Sequence, residues 1–124
     1  MKGFRRPEDM EVWKRGCRIV VSVYEVTREG AIDKDWGLKE QMRRAAVAIP
    51  SNIAEGYERG SSAEFKRFAQ IAKGSCAELR TQLYLAQALG YIAKPKSSVL
   101  IRECREISAM LHSLVQKLIK PAKT

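Results

Sequence analysis

The sequence predicts an all-α fold, an antiparallel up-down four-helix bundle, on three observations. Glycines at 30, 60 and 90 punctuate the chain at even intervals. Between them apolar residues recur at spacings of three and four, the mark of a helix with one buried stripe. No segment of comparable length alternates apolar and polar as a half-buried strand does. The connections are short, so consecutive helices are expected side by side and in opposite directions. The 124 residues suit a single domain spanning 1–124. A chain that is 45% hydrophobic and 30% charged has enough apolar surface for a core, which excludes a disordered class.

The first helix is expected over about 7–29. Pro7 suits a first-turn position, and Glu8, Asp9 and Glu11 suit the positive end of the helix dipole. Its stripe is Met10, Trp13, Cys17, Val20 and Tyr24, widened by Ile19, Val23 and Val26. The second, about 36–59, follows the loop GAIDKD with Asp35 as its N-cap and carries Leu38, Met42, Ala45, Ile49, Ile53 and Tyr57. The third, about 62–89, opens with Ser61 and Glu64 at capping-box spacing, and its stripe is Phe65, Phe68, Ala72, Cys76, Leu79, Leu83 and Ala86. The fourth, about 96–120, carries Leu100, Cys104, Ile107, Leu111, Leu114 and Leu118, and Pro121 ends it.

Several function classes lose support at once. No apolar run approaches the roughly 18 residues of a membrane span. The basic N-terminus has no apolar stretch behind it, so a secretory signal is not expected and a cytoplasmic location is. Cys17, Cys76 and Cys104 lie far apart and the single histidine, His112, adjoins the core position Leu111. Neither a metal site, a disulfide framework, a cofactor nor a histidine general base is expected from that set.

One stretch of the second helix is unusual. Pro50 removes a backbone donor and frees the Ala46 carbonyl, and Ser51 and Asn52 offer local hydrogen bonds to repair the gap. Small residues on the second helix (Ala45, Ala46, Ala48, Ala54, Gly56) answer Gly74, Ser75 and Ala77 on the third, which suggests a close approach that would justify Gly74 in mid-helix. Arg44, Ser51, Asn52, Glu55, Ser75 and Glu78 then form a polar cluster between the two helices. Paired acids can do acid–base work, but no nucleophile, histidine or metal ligand set accompanies these. The cluster reads as a fastener that sets helix register, and a direct ligand or catalytic role is the competing reading.

The net charge of +9 permits polyanion binding. A second stripe on the third helix runs Lys66, Gln70, Lys73, Ala77, Arg80, Tyr84 and Gln87 without an acid. Arg102, Arg105, Lys117 and Lys120 add to it from the fourth helix, although the last two also suit a helix C-terminus. Residues 93–124 hold seven basic and two acidic side chains, whereas residues 31–60 balance at zero. Such a surface would hold phosphates by charge and counterion release, without reading sequence. Tyr84 is the one aromatic on the stripe, so the aromatic interleaving that would suit single strands by stacking is thin, and Trp13 is expected in the core. Trp36 would cover an end of the bundle or a subunit contact.

Residues 41–92, QMRRAAVAIPSNIAEGYERGSSAEFKRFAQIAKGSCAELRTQLYLAQALGYI, closely resemble the four-helix-bundle proteins encoded in intervening sequences of bacterial 23S rRNA genes. The front, FRRPEDMEVWKRGCRIVVSVYEVT, resembles the usual start of that family, with Met10 where leucine is expected. The resemblance implies a left-handed up-down bundle and a homopentameric ring. It also implies a likeness in fold to the accessory variability proteins of diversity-generating retroelements, which are basic pentamers that bind nucleic acid and a reverse transcriptase. Five copies would carry about +45, a field that attracts polyanions. The expectation is a non-enzymatic, basic, oligomeric scaffold that contacts RNA or DNA through Lys66, Lys73, Arg80, Arg102 and Arg105, with no cofactor, no metal and no membrane. The alternative is a protein-interaction module whose charge serves solubility.

Overall fold

The computed structural model describes residues 6–119, with side chains to 117. The expected stop at Pro121, the cation Lys120, the core position Leu118 and the start of the family-like entry at Phe4 lie outside what is described. Among the described residues every regular element is helical. A 3-10 turn at Pro7–Asp9 precedes α1 (Glu11–Val26), α2 (Ala31–Lys34), α3 (Trp36–Glu58), α4 (Ser62–Ala88) and α5 (Lys94–Ile119).

The ends of the helices have local causes. The Asp35 carboxylate accepts from the Leu38 amide at 3.2 Å and caps α3. The Ser61 hydroxyl accepts from the Glu64 amide at 3.2 Å and caps α4. Each cap satisfies an amide that the helix itself leaves free. After α4 the chain turns through Gly90 at φ +75°, where the Gly90 amide donates to Gln87 and the Tyr91 amide to Ala86. That pair of bonds closes the last turn and requires the left-handed region, which glycine enters without steric cost. α1 is shorter than the sequence suggests: Pro7 starts a separate 3-10 turn, Met10 is extended, and Thr27 ends the helix by donating its hydroxyl to the Val23 carbonyl at 2.7 Å. Part of GAIDKD, expected as loop, is the single turn α2, held by the buried Ile32.

α3 packs on α4, α4 on α5, α5 on α1 and α1 on α3, so the four long helices close a cycle. Neighbours run in opposite directions. Gly56 meets Phe65 and Phe68 at one end of the α3–α4 pair, and Asp35 accepts from the Tyr91 hydroxyl at the other. The core is Met42, Ile49 and Ile53 from α3, Phe65, Ala72, Cys76, Leu79 and Leu83 from α4, and Leu100, Cys104, Ile107 and Leu111 from α5. Pro50 sits inside a continuous α3, and the Asn52 side-chain amide donates to the Ala48 carbonyl at 2.8 Å, one turn back.

Two sequence expectations are corrected. The buried face of α1 is Val12, Gly16, Ile19 and Val23, whereas Trp13, Cys17, Val20 and Tyr24 are half-buried. Trp13, Cys17 and Val20 instead line an apolar groove with Val47, Pro50 and Ala54 of α3. Gly16 is the reason: a Cβ there would stand 3.3 Å from both Ile49 and Pro50, so α1 rolls its glycine inward. A stripe read from apolar side chains cannot show a glycine at its centre. The close approach of α3 to α4 is likewise made at Gly56, not Gly74. A Cβ on Gly56 would lie 2.8 Å from the Phe68 Cβ and 3.3 Å from the Phe65 Cα, while Gly74 is exposed with nothing within 4 Å.

The two glycines therefore respond oppositely to alanine. Gly56→Ala forces α3 from α4 and lowers stability by about 1–3 kcal/mol. Gly74→Ala raises it by about 0.5–1 kcal/mol, because only the backbone entropy of glycine is removed. Urea unfolding of both variants checks this, and equal shifts would contradict the packing described.

Candidate functional site

The acids of α4 and α5 are drawn away from the surface these helices share. Arg15 of α1 reaches α5 and grips Glu103 with two parallel bonds, Nε to Oε1 at 2.8 Å and Nη2 to Oε2 at 2.7 Å. The same guanidinium donates to Glu106 and contacts the Met110 sulfur. The bonds from Glu103 and then Glu106 hold the Arg15 charge firmly, against the opposing effect of burial. On α4, Glu64 pairs with Arg59 and Arg67, and Glu78 lies in the groove toward α3.

What remains along the α4/α5 seam is cationic. Lys73 Nζ lies 3.3 Å from His112 Nδ1 across the two helices. Two turns along α4 and on the same side, Arg80 is half-buried, and its charge favours the thiolate forms of the buried Cys76 and Cys104. Burial pushes each thiol up to about 12, and the Arg80 charge pulls the other way. Next, Arg105 donates to the Tyr84 hydroxyl at 3.1 Å, and Tyr84 is 48% exposed. Ser97 donates to Gln87 at the end of the seam. Lys66 is exposed seven residues before Lys73, on the same side of α4. Arg102 is exposed on α5, and no contact among the described residues ties it to the seam. The five cations that the sequence singles out thus have no acidic partner among the described residues; Lys73 and Arg105 each reach across to the facing helix, and Arg80 lies between Lys73 and Tyr84 along α4. His112 is an addition to that set. Its signal is its place seven residues after Arg105, which puts both on one side of α5.

The polar cluster does not form as expected. Arg44, Ser75 and Glu78 do share a groove between α3 and α4, with Gln41, Ala45, Ala48 and Gln82. Asn52 and Ser51 lie in the neighbouring groove with Arg44, Tyr24 and Arg43. Glu55, however, pairs with Arg59 at 3.2 Å on its own helix. Asn52 and Ser75 satisfy themselves one turn back, on the Ala48 and Ile71 carbonyls. Short polar side chains inside a helix commonly bond back to a carbonyl one turn earlier, and these two do so. Sequence reading missed Gln82, which is 8% exposed and whose carbonyl oxygen has no hydrogen-bond partner among the described residues. Seven-residue spacing places Ile71, Glu78 and Leu85 on this side of α4, and Ile71 and Leu85 are 43% and 50% exposed. Trp36, at the start of α3, is 70% exposed with the Lys39 ammonium over its ring. Among the described residues, no three His, Cys, Asp or Glu side chains converge as metal ligands would, and no helix is long and apolar enough to cross a membrane.

The family described as 23S rRNA-intervening sequence protein matches residues 8–113, and this chain belongs to it. No curated protein matches the chain. A solved structure, a protein of unknown function from the S23 ribosomal protein family of Bacteroides thetaiotaomicron VPI-5482, is similar with a TM-score of 0.73 and 21% identity. The match covers 85% of this chain and 98% of that one, and it shows the helical fold.

Burial of the seam-side thiols has a direct chemical consequence. A thiol reagent at mildly alkaline pH should label at most the half-buried Cys17 in native protein, and all three cysteines after unfolding. Rapid labelling of Cys76 or Cys104 in the native state would contradict the packing of α4 on α5.

Proposed function

We propose that this chain is a non-enzymatic scaffold, a left-handed up-down four-helix bundle, that binds nucleic acid through phosphate contacts with little sequence preference. The observation that carries the reading is the charge sorting of α4 and α5. Their four acids are held by Arg15, by Arg59 and Arg67, or in the α3/α4 groove, and Lys73, Arg80 and Arg105 line the seam between them. A surface of that kind releases counterions when phosphates replace them, and it reads no bases. Lys66 extends it along α4, and Arg102 adds an exposed charge on α5. The setting we propose is cytoplasmic, without a cofactor.

The scaffold acts as a homo-oligomer, a pentameric ring in line with the family resemblance. The α3/α4 side supports a subunit contact. It presents Ile71 and Leu85 to solvent, and it holds a buried Gln82 oxygen that a donor from another chain would satisfy. A buried acceptor left unpaired costs about 1–3 kcal/mol. The same side favours a second reading, a module that docks a different protein there and uses its charge for solubility.

Charge reversal of Lys66, Lys73 and Arg80 together should weaken binding to labelled RNA and DNA. It should also flatten the salt dependence by about 0.7–0.9 for each phosphate no longer neutralised. Unchanged binding would remove the assignment of the stripe. Separately, Leu85→Glu should reduce the native mass measured by light scattering. A wild-type protein that is already monomeric would remove the ring.

A further inference from the structure

We infer that the α4/α5 seam takes single-stranded rather than duplex nucleic acid, with Tyr84 and His112 offering ring faces to unpaired bases between the phosphate-holding Lys73, Arg80 and Arg105. The inference rests on the nucleic-acid reading above and names the class of strand.

A purely cationic strip would not distinguish the two forms, because both present phosphates. Ring faces do distinguish them, since a base can stack on a side chain only when its own face is free. Two rings lie in this seam. Tyr84 keeps 48% of its surface in solvent while its hydroxyl accepts from Arg105 Nη2 at 3.1 Å. That bond fixes the tip of the ring and leaves its body presented, so little order remains to be imposed on binding. His112 is exposed and lies 3.3 Å from Lys73. Each ring therefore sits beside a cation, and Arg80 falls between the two pairs along α4. The eleven residues from Lys73 to Tyr84 span about 16 Å at 1.5 Å per residue. That length matches about four or five nucleotides at a stacked rise of about 3.4 Å. A duplex would meet the cations on one of its strands and leave both rings unused.

The test uses the full chain with labelled pyrimidine oligonucleotides, RNA and DNA, as single strands and as duplexes of equal length at one salt concentration. Single strands of at least one sugar type should bind more tightly than their duplexes. Tyr84→Ala should weaken single-strand binding about five- to hundredfold and leave duplex binding within about twofold, given the usual worth of one stacked base. Tyr84→Phe keeps the ring face but loses the bond from Arg105, so its single-strand affinity should fall between wild type and Tyr84→Ala while duplex binding stays within about twofold. Lys73→Ala should weaken both forms alike. Tyr84 is on the surface, so unchanged circular dichroism and melting serve as the folding control. Equal affinity for both forms, or a Tyr84→Ala loss shared equally between them, would overturn the strand assignment while leaving nucleic-acid binding in place. Polyglutamate bound as tightly as the oligonucleotides would overturn it as well, because charge alone would then suffice. No binding of any nucleic acid at low salt would overturn this inference and the reading it rests on.

Discussion

The grip of Arg15 on Glu103 and Glu106 is the interaction on which the charge layout depends. α5 must pack against two neighbours at once, α1 on one side and α4 on the other. Its cations outnumber its two acids, and the acids are spaced three apart, so a single guanidinium can reach both. Placing that guanidinium on α1 ties α1 to α5 and holds both acids on the α1 side, while the buried face of Leu100, Cys104, Ile107 and Leu111 sets the roll of α5. The roll turns Arg105 and His112 toward α4, where they meet Tyr84 and Lys73. An exposed ion pair contributes little to stability, but this one is bidentate and its arginine side chain is only 21% exposed.

The other side of the molecule depends on shape more than on charge. Gly16 and Gly56 are the points where α3 is approached from two directions, by α1 at Ile49 and Pro50 and by α4 through Phe65 and Phe68. A proline in the middle of α3 is tolerated there because it is buried against Gly16, where its ring fills space. The unusual run from Pro50 to Glu55 thus has local causes. Pro50 packs, Asn52 bonds back to Ala48, and Glu55 faces out to Arg59. The α3/α4 groove is left with unequal needs, a buried Gln82 oxygen and exposed apolar side chains on either side of Glu78.

Much of the helical organisation is legible in the sequence because it is written in local chemistry. Asp35 and Ser61 cap where their side chains suggest, and Gly60 and Gly90 turn at positive φ just past α3 and α4. The α4 stripe from Phe65 to Ala86 is buried throughout, since a continuous apolar face leaves one way to roll the helix. What is not legible depends on a neighbour. The roll of α1 is set by a glycine, which contributes nothing to a hydrophobic stripe. The importance of Gly56 over Gly74 depends on which one faces two phenylalanines. The cationic residues are legible as a set, but the removal of acids from their side requires Arg15, eighty-eight residues from Glu103 in the chain. His112 reads in sequence as a neighbour of Leu111, and its spacing from Arg105 gains meaning only once α4 supplies Lys73 beside it.

A double-mutant cycle between Arg15 and Glu103 tests this layout most directly. Arg15→Met, Glu103→Gln and the pair would be compared by urea unfolding. If the grip holds Glu103 on the α1 side, the two substitutions couple by about 1–2 kcal/mol, as contacting charged hydrogen-bond partners do. Strictly additive effects would mean that the contact is incidental, and that the cation-only seam has some other origin.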